Sequence, residues 1–380
     1  MSQVQKSENK SRALPRAQHV RRVGTNGNYW YAVELSKNLG PKGIKEVKYW
    51  GQSIALFRGE DGKVRAVENR CAHRQLALTT GVVQGDHITC QYHGWQYDGC
   101  GRCVSIDHEL GKNRTKFPKI TIASYPIKER YGLIWLFPGD AEKAETVPLP
   151  VIPQLDQADP WPVVPIDITM QSHFSMVVEN VCDFNHAYLH RRKQPFTQPV
   201  LNKYWREDET IHVLYDTSFH NSPIAKLFAD HTSLDQIHLW YQYPYQGSDI
   251  AGKYLHWLFM LPEDERTTRC FFLFLFGPIK IPGTKYSIPN VVKQPFLALA
   301  NQLYIKPLLA EDKWALEAEQ KGFDLHHDNP FYELNPIVPE FQALTIERFE
   351  TYEEERLTRE LTKKRSNAEL PGGAQAPAAE

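Results

Sequence analysis

An α+β chain in two parts, an all-β module followed by an antiparallel sheet covered by helices, is what this sequence predicts. From Tyr29 to about Pro138 it falls into short β-branched and aromatic runs (YWYAVEL, IALFRG, KVRAVEN, HITCQY, CVSI, GLIWLFPG) separated by Gly and Asp-Gly turns. The Pro- and acid-rich stretch GDAEKAETVPLPVIPQLDQADPWP then reads as a linker. Beyond it come longer aromatic runs (IHVLYDTSFH, IHLWYQYPY, YLHWLFMLP, TTRCFFLFLFG) and helical patterns near 174–190, 297–321 and 339–365, which together make an antiparallel sheet with a helical cover. The expected boundaries are a mobile tail at 1–27, an all-β domain at 28–140, a linker at 141–160, an α+β domain at 161–366 and a disordered, low-complexity tail at 367–380.

At 380 residues the chain is long enough to bury the core an enzyme needs. Its 44 basic and 45 acidic residues leave a formal charge of −1, so no overall field argues for nucleic acid or an acidic membrane as partner. The opening residues lack the apolar core of a secretory signal, and runs such as CFFLFLF fall short of the roughly 20 residues a spanning helix needs. A soluble, cytoplasmic protein is therefore expected. Six cysteines are too sparse for a disulfide framework, and Cys71, Cys90, Cys100 and Cys103 are clustered, which in such a chain points to metal or catalysis.

Residues 71–93 carry C-x-H, sixteen intervening residues, then C-x2-H. Each half supplies one thiolate and one imidazole, from Cys71 and His73 and from Cys90 and His93. Structural zinc sites usually pair Cys with Cys and His with His. Interleaved halves fit a two-iron cluster better, with both Cys on one iron and both His on the other, the ligation of a Rieske [2Fe-2S] centre. Gly94 and Trp95 follow as a close turn and an aromatic cover. The C-x2-C of Cys100 and Cys103 sits at an Asp-Gly turn that a hairpin requires in any case, so it reads as structural.

The stretch ENVCDFNHAYLH (179–190) offers a second constellation. On a continuous helix Asp183, His186 and His190 fall on one stripe, with Asn180 a turn earlier on nearly the same side. Histidines at this spacing are also ordinary at a helix-sheet boundary. HAYLH has the H-x3-H spacing of zinc proteases but Ala187 where their general-base Glu stands. What remains is mononuclear non-haem iron held by two His and one carboxylate. Asp312 is the preferred carboxylate because it precedes an amphipathic run with Trp314 and Leu316; Glu311, Glu317, Glu319 and Asp324 compete.

A C-x-H/C-x2-H motif about ninety residues upstream of N-x2-D-x2-H-x3-H resembles the oxygenase component of a Rieske non-haem iron oxygenase, from Tyr29 to about residue 350. The three-residue gap between His186 and His190, shorter than in many members, together with NYWYAVELSK, is most similar to the homotrimeric subgroup that includes carbazole angular dioxygenase. The ED-x2-W-x2-E pattern resembles the carboxylate-ligand segment of 3-ketosteroid hydroxylases and favours Asp312. The resemblance implies a helix-grip catalytic sheet, one [2Fe-2S] cluster and one Fe(II) per subunit, and three subunits packed head to tail. It also implies that Asp183 bridges a neighbour's His93 to a local iron histidine.

Nicotinamide and flavin fingerprints such as GxGxxG are absent, so electrons are expected from NAD(P)H through a separate flavin reductase or ferredoxin. Arg74, Arg102 and Lys112 are candidates for the docking face. The expected activity is O2-dependent hydroxylation, by mono- or dioxygenation, of an apolar aromatic or polycyclic substrate, with oxidative O- or N-demethylation as the alternative. Phe219, Leu227, Trp240, Tyr254 and Trp257 are candidate pocket residues, although aromatics at strand spacing are more often core. A Rieske electron carrier would leave the second constellation unused, and a zinc hydrolase explains neither the Ala at 187 nor the cluster motif.

Overall fold

A computed structural model of the chain describes residues 15–106, 119–190, 199–217, 235–250, 252–278 and 286–368. The candidates Lys112, Phe219 and Leu227, and the tail from 369, lie outside them. The N-terminal half is all β. One sheet holds Tyr31–Leu35, Leu133–Leu136 and Ile127–Arg130; a second holds Ile44–Tyr49, Gln52–Arg58, Val64–Glu68 and Ser124–Tyr125. A third, of four short strands (Val82–Gln84, His87–Thr89, Gln96–Tyr97, Cys103–Ser105), carries the Cys/His motif and packs over its own core of Phe57, Val67, Leu78, Ile88 and Tyr97.

The C-terminal half is a seven-stranded antiparallel sheet: β1 (Val163–Met170), β2 (Val200–Glu207), β3 (Thr210–Thr217), β4 (Asp235–Gln242), β5 (Tyr245–Ile250), β6 (Tyr254–Asp264) and β7 (Thr267–Phe276), in the order β1-β7-β6-β5-β4-β3-β2. Helices α1 (Phe174–Cys182), α2 (Asn290–Ala300), α3 (Lys306–His326) and α4 (Val338–Ala368) accompany it. Alternation along each strand gives the sheet two faces with different partners. One face, with Tyr245, Trp257, Phe259, Phe271 and Leu273, shares a core with Trp30, Trp135 and Phe137 of the first domain; Trp135 meets the Phe259 ring edge-on at 4.8 Å. The other, with Tyr215, Leu239, Tyr241, Leu258, Phe272 and Phe274, faces Met176, Val177, Leu309, Leu316 and Phe341 of the helices.

Several sequence expectations change here. Residues 15–27, expected within the mobile tail, are packed: Val20 and Val23 are buried against Phe174 and Ile346. Arg21, also buried, donates to both carboxylate oxygens of Glu179 (2.6 Å each), to Ser175 Oγ (2.7 Å) and to Glu319 (3.0 Å). A polar composition hid three residues that plug the helical layer. Replacing Arg21 with methionine leaves Glu179 without its charged partner in a buried setting, so stability should fall by about 3–5 kcal/mol in urea or thermal unfolding.

The expected linker is also packed, with Ala144 and Ile152 buried in the shared core and Trp30 Nε1 donating to the Val147 carbonyl at 2.9 Å. The run IHLWYQYPY, expected as one strand, reverses at Tyr243-Pro244 into β4 and β5, because proline has no N–H to continue the ladder. Edge strand β2 went unrecognised, since its VLNKYWRE pattern is mostly exposed. The helix expected at 174–190 stops at Cys182. Asp183 takes an extended backbone (φ −94°, ψ 96°), and its side chain accepts from the Asn185 N–H, so it closes α1 and opens a 3-10 turn at Phe184–Tyr188.

Candidate metal centres

In the first domain the two halves of the Cys/His motif form matched backbone loops. Cys71 N–H donates to the Leu76 carbonyl (2.8 Å) and Gln75 N–H to the Cys71 carbonyl (2.9 Å); Cys90 N–H donates to the Trp95 carbonyl (2.8 Å) and Gly94 N–H to the Cys90 carbonyl (3.0 Å). The fourth residue after each Cys has positive φ, Gln75 at 65° and Gly94 at 68°. Gly81 brings the loops together: a Cβ there would lie 2.0 Å from the carbonyl oxygen of Thr89, next to Cys90.

Cys71 and Cys90 are buried at the loop bases, and His73 and His93 stand outward with ring centroids 4.5 Å apart. Trp95 stacks on His73 at 4.8 Å and 5°. Burial, with Cys71 beside it, pushes the Cys90 thiol pKa up. Tyr97 was missed by sequence reasoning: its hydroxyl accepts from Ala72 N–H (3.0 Å) and lies 3.4 Å from Cys71 Sγ. His93 Nδ1 is buried with no hydrogen-bond partner, an orphaned atom that a ligated metal satisfies. Cys100 is exposed in the turn, its N–H on Asp98, and Cys103 is buried in the local core. Arg74 is exposed beside His73, whereas Arg102 is paired with Asp98 at 2.7 Å.

In the second domain, among the described residues, His186, His190 and Asp312 form a set whose ligand atoms all lie within 4.8 Å of one another. The broken helix brings them together in place of the expected stripe: His186, at φ −83° and ψ 23°, leaves helical geometry within the 3-10 turn. Each ring has one nitrogen engaged outward. His186 Nδ1 donates to the Asp183 carbonyl, and His190 Nδ1 bonds Glu311 Oε2 at 2.9 Å. Both Nε2 atoms then face Asp312 Oδ1, at 3.7 Å and 3.1 Å. That oxygen is buried and accepts no hydrogen bond, so the site concentrates acceptors that a cation satisfies.

Burial lowers the His186 pKa with Asp312 opposing, while the carboxylates of Asp312 and Glu311 outweigh burial and raise that of His190. The competing acids are otherwise engaged. Glu317 accepts from Gln171 N–H, Glu319 pairs with Arg21, and Asp324 pairs with Arg266. Glu311, weighed in the sequence as a rival ligand, meets His190 Nδ1 on the side of the ring away from Asp312. Its replacement by alanine should weaken Fe(II) binding about 10–100-fold in a chelator competition and leave the visible cluster spectrum unchanged.

Asp183 is half-buried, and its Oδ1 also accepts from Asn335 Nδ2 at 2.8 Å. Asn335, a residue the sequence offered no signal for, in turn meets the Tyr215 hydroxyl. Asn180 is half-buried on the last turn of α1. The candidate pocket residues divide between the two faces of the sheet. Trp240 and Trp257 pack toward the first domain, away from the triad, whereas Tyr254 stacks on Phe274 (5.9 Å) on the helix-facing side.

Comparison with known proteins agrees with both centres. The family described as Rieske [2Fe-2S] domain matches residues 29–126, and that described as vanillate O-demethylase oxygenase C-terminal domain matches 170–336. The 4beta-methylsterol monooxygenase of Methylococcus capsulatus is 57% identical over 343 residues, which is 90% of this chain and 93% of that protein. The chain belongs to the Rieske oxygenase family.

The oxygenase component of dicamba O-demethylase from Stenotrophomonas maltophilia is a more distant relative, 32% identical over 43% of this chain and 47% of its own length. Among solved structures, dicamba monooxygenase bound to dicamba superposes with a TM-score of 0.71 at 21% identity, covering 88% of this chain and 99% of that one. The terminal oxygenase of carbazole 1,9a-dioxygenase from Nocardioides aromaticivorans gives 0.67 at 21% identity, covering 88% and 97%. These two likenesses are of fold. As a terminal Rieske oxygenase the protein needs electron-transfer partners, and no helix among its described residues is long and apolar enough to cross a membrane.

Proposed function

We propose that this Rieske oxygenase oxidises a methyl group on a sterol-type polycyclic substrate. The observation that carries the reading is its 57% identity to a 4beta-methylsterol monooxygenase across nearly the whole of both chains. The apolar surroundings support it: Phe184, its ring centroid 6.3 Å from that of His186, packs on the cluster that includes Tyr254, Phe272, Phe274 and Phe276.

Cys71, Cys90, His73 and His93 hold the [2Fe-2S] cluster in this reading, and His186, His190 and Asp312 hold the mononuclear iron. Held by these three residues, an iron would supply oxygen activation to a substrate bound alongside. The chain's own part is to fix each imidazole through its Nδ1 bond and to present Nε2 toward Asp312. Electrons come from NAD(P)H through a flavin reductase or ferredoxin in the cytoplasm.

The assembly in this reading is a homotrimer. Asp183, anchored by Asn335 and by Asn185 N–H, links the His93 of the partner subunit to His186. Asp183→Asn should then slow electron transfer between centres at least about tenfold in single-turnover measurements on pre-reduced protein. An unchanged rate rejects the link.

The substrate reading is tested by mass spectrometry of products from a panel of 4-methylsterols, aromatic acids and heterocycles, with a reconstituted reductase and ferredoxin under 18O2. The expected product carries one labelled oxygen on the sterol methyl carbon. Oxidation of an aromatic acid with sterols untouched would reject the sterol substrate, and loss of an O- or N-methyl group would replace the reading with the demethylase alternative.

A further inference from the structure

Three polar side chains stand together on the helix-facing side of the catalytic sheet. Ser248 of β5 lies directly opposite His256 of β6, and Gln246 is the next β5 residue on the same face, opposite Leu258. Ser248 and Gln246 are fully buried, whereas His256, on a strand with neighbours on both sides, keeps accessible surface. Phe272 and Phe274 of β7 flank its ring, with centroids 6.2 Å and 5.7 Å away. Other hydroxyls on this face reach the helical layer or the turn that leads into it: Tyr215 bonds the Cys182 carbonyl, Tyr241 bonds Thr345 and Thr268 bonds the Ser172 carbonyl. Among the described residues, Gln246, Ser248 and His256 bond only within the sheet.

That closed set has a direction. Gln246 Nε2 donates to the Gly247 carbonyl at 2.8 Å, so Oε1 is the atom turned to the ring, and His256 Nε2–H donates to it at 3.0 Å. A proton on Nε2 leaves Nδ1 as an acceptor, and the Ser248 hydroxyl donates to it at 2.7 Å. Burial pushes the His256 pKa down to about 4, so the ring stays neutral and keeps that lone pair at ordinary pH. The iron site looks onto the same face. Leu309, Asp312 and Leu316 of α3 are buried at i, i+3 and i+7, one side of the helix, and the two leucines pack in the same cluster as Phe272 and Phe274. Asp312 therefore turns toward the sheet face that carries His256.

We propose that His256 Nδ1 is the acceptor that reads a hydroxyl group on the substrate, with the Ser248 hydroxyl filling its position in the free protein and Gln246 fixing the tautomer. A few directed polar groups in an apolar site set the orientation of what binds there. The inference rests on the sterol reading: the ring hydroxyl of a sterol is a donor on the carbon next to the one that bears the 4-methyl group, so holding it fixes which methyl faces the triad. A ketone at the same carbon, which only accepts, would meet the Nδ1 lone pair unmatched.

The test is equilibrium dialysis of the full-length holoenzyme against three probes: a 4-methylsterol, its 3-oxo counterpart and its 3-deoxy counterpart. Wild type is expected to bind the hydroxyl form about 10–100-fold tighter than either of the others, and His256→Phe to bind all three alike, with the visible spectrum and iron content unchanged. Ser248→Ala removes the competing donor, so there the preference should persist or grow; this variant decides the matter if His256→Phe fails to fold. Three probes bound alike by wild type, an unchanged preference in His256→Phe, or a preference lost in Ser248→Ala overturns the inference. Equal binding with the sterol methyl still oxidised overturns the hydroxyl contact and leaves the sterol reading, and no binding of any probe rejects both. Hydroxyl preference without oxidation of any sterol rejects the substrate reading and leaves the contact standing.

Discussion

His186→Ala is expected to stop turnover while the visible spectrum of the cluster stays intact. His186 offers a single nitrogen to a metal, Nε2, because Nδ1 is held by the Asp183 carbonyl. Without it, His190 Nε2 and Asp312 Oδ1 remain as a pair 3.1 Å apart, short of a facial triad. A bound metal contributes several kcal/mol of stabilisation, so its loss corresponds to a drop of about a thousandfold or more. Asp312→Asn should behave alike, since it keeps the shape and removes the charge that faces both imidazoles. The spectrum is unaffected because the four cluster candidates sit in a different sheet of a different domain. Bleaching by either substitution would contradict the separation of the two sites; the measurements are steady-state product formation and an absorbance scan of the same preparation.

Cys71→Ser should have the opposite signature, with the visible absorbance lost and mononuclear iron retained. Cys71 is 1% exposed at the base of its loop, so the new hydroxyl is buried where no thiolate ligand replaces it. The buried hydroxyl alone costs about 1–3 kcal/mol, which in a domain of this size lowers the midpoint of its thermal transition by several degrees. Turnover also falls to background, because electrons have no entry point. Cys100→Ser is the control: that thiol is exposed in the Asp98 turn, so its removal should leave spectrum and stability unchanged. Bleaching by Cys100→Ser would show that the turn shares in ligation.

How much of the fold and its two centres was readable from sequence depended on how local each feature is. The cluster motif is local. Spacing within each loop decides which way Cys and His point, and Gly94 marks the positive-φ turn, so both loops were legible in the sequence alone. The histidines His186 and His190 were legible as a candidate pair, but the continuous helical stripe that suggested them is not how they converge with Asp312. Asp183 competes for the backbone as an N-cap, and a propensity pattern does not show which of two hydrogen-bonding options wins.

Asp312 lies far along the chain, and sequence left four acids as its rivals. The structure separates them by what each already holds: Arg21, Arg266, the Gln171 amide and His190. Period-2 alternation told which strand residues share a face, yet not which face meets the helices, so the candidates were named together although Trp240 and Trp257 lie on the face toward the first domain and Tyr254 on the helix-facing side. In the segment 15–27 the buried hydrophobic residues are Val20 and Val23, and the others buried with them are polar (Gln18, Arg21, Thr25, Asn26) or glycine, so no apolar pattern registered as an element.

If one chain holds a two-iron cluster and a separate single iron on the residues named, the two metals are separable by count. Iron and acid-labile sulfide, counted per chain in wild type and His186→Ala, test it most directly. Wild type should hold about three irons to two sulfides, and the variant about two to two. Wild type holding two irons to two sulfides, zinc in place of the third metal, or a variant that loses sulfide together with iron, would contradict it.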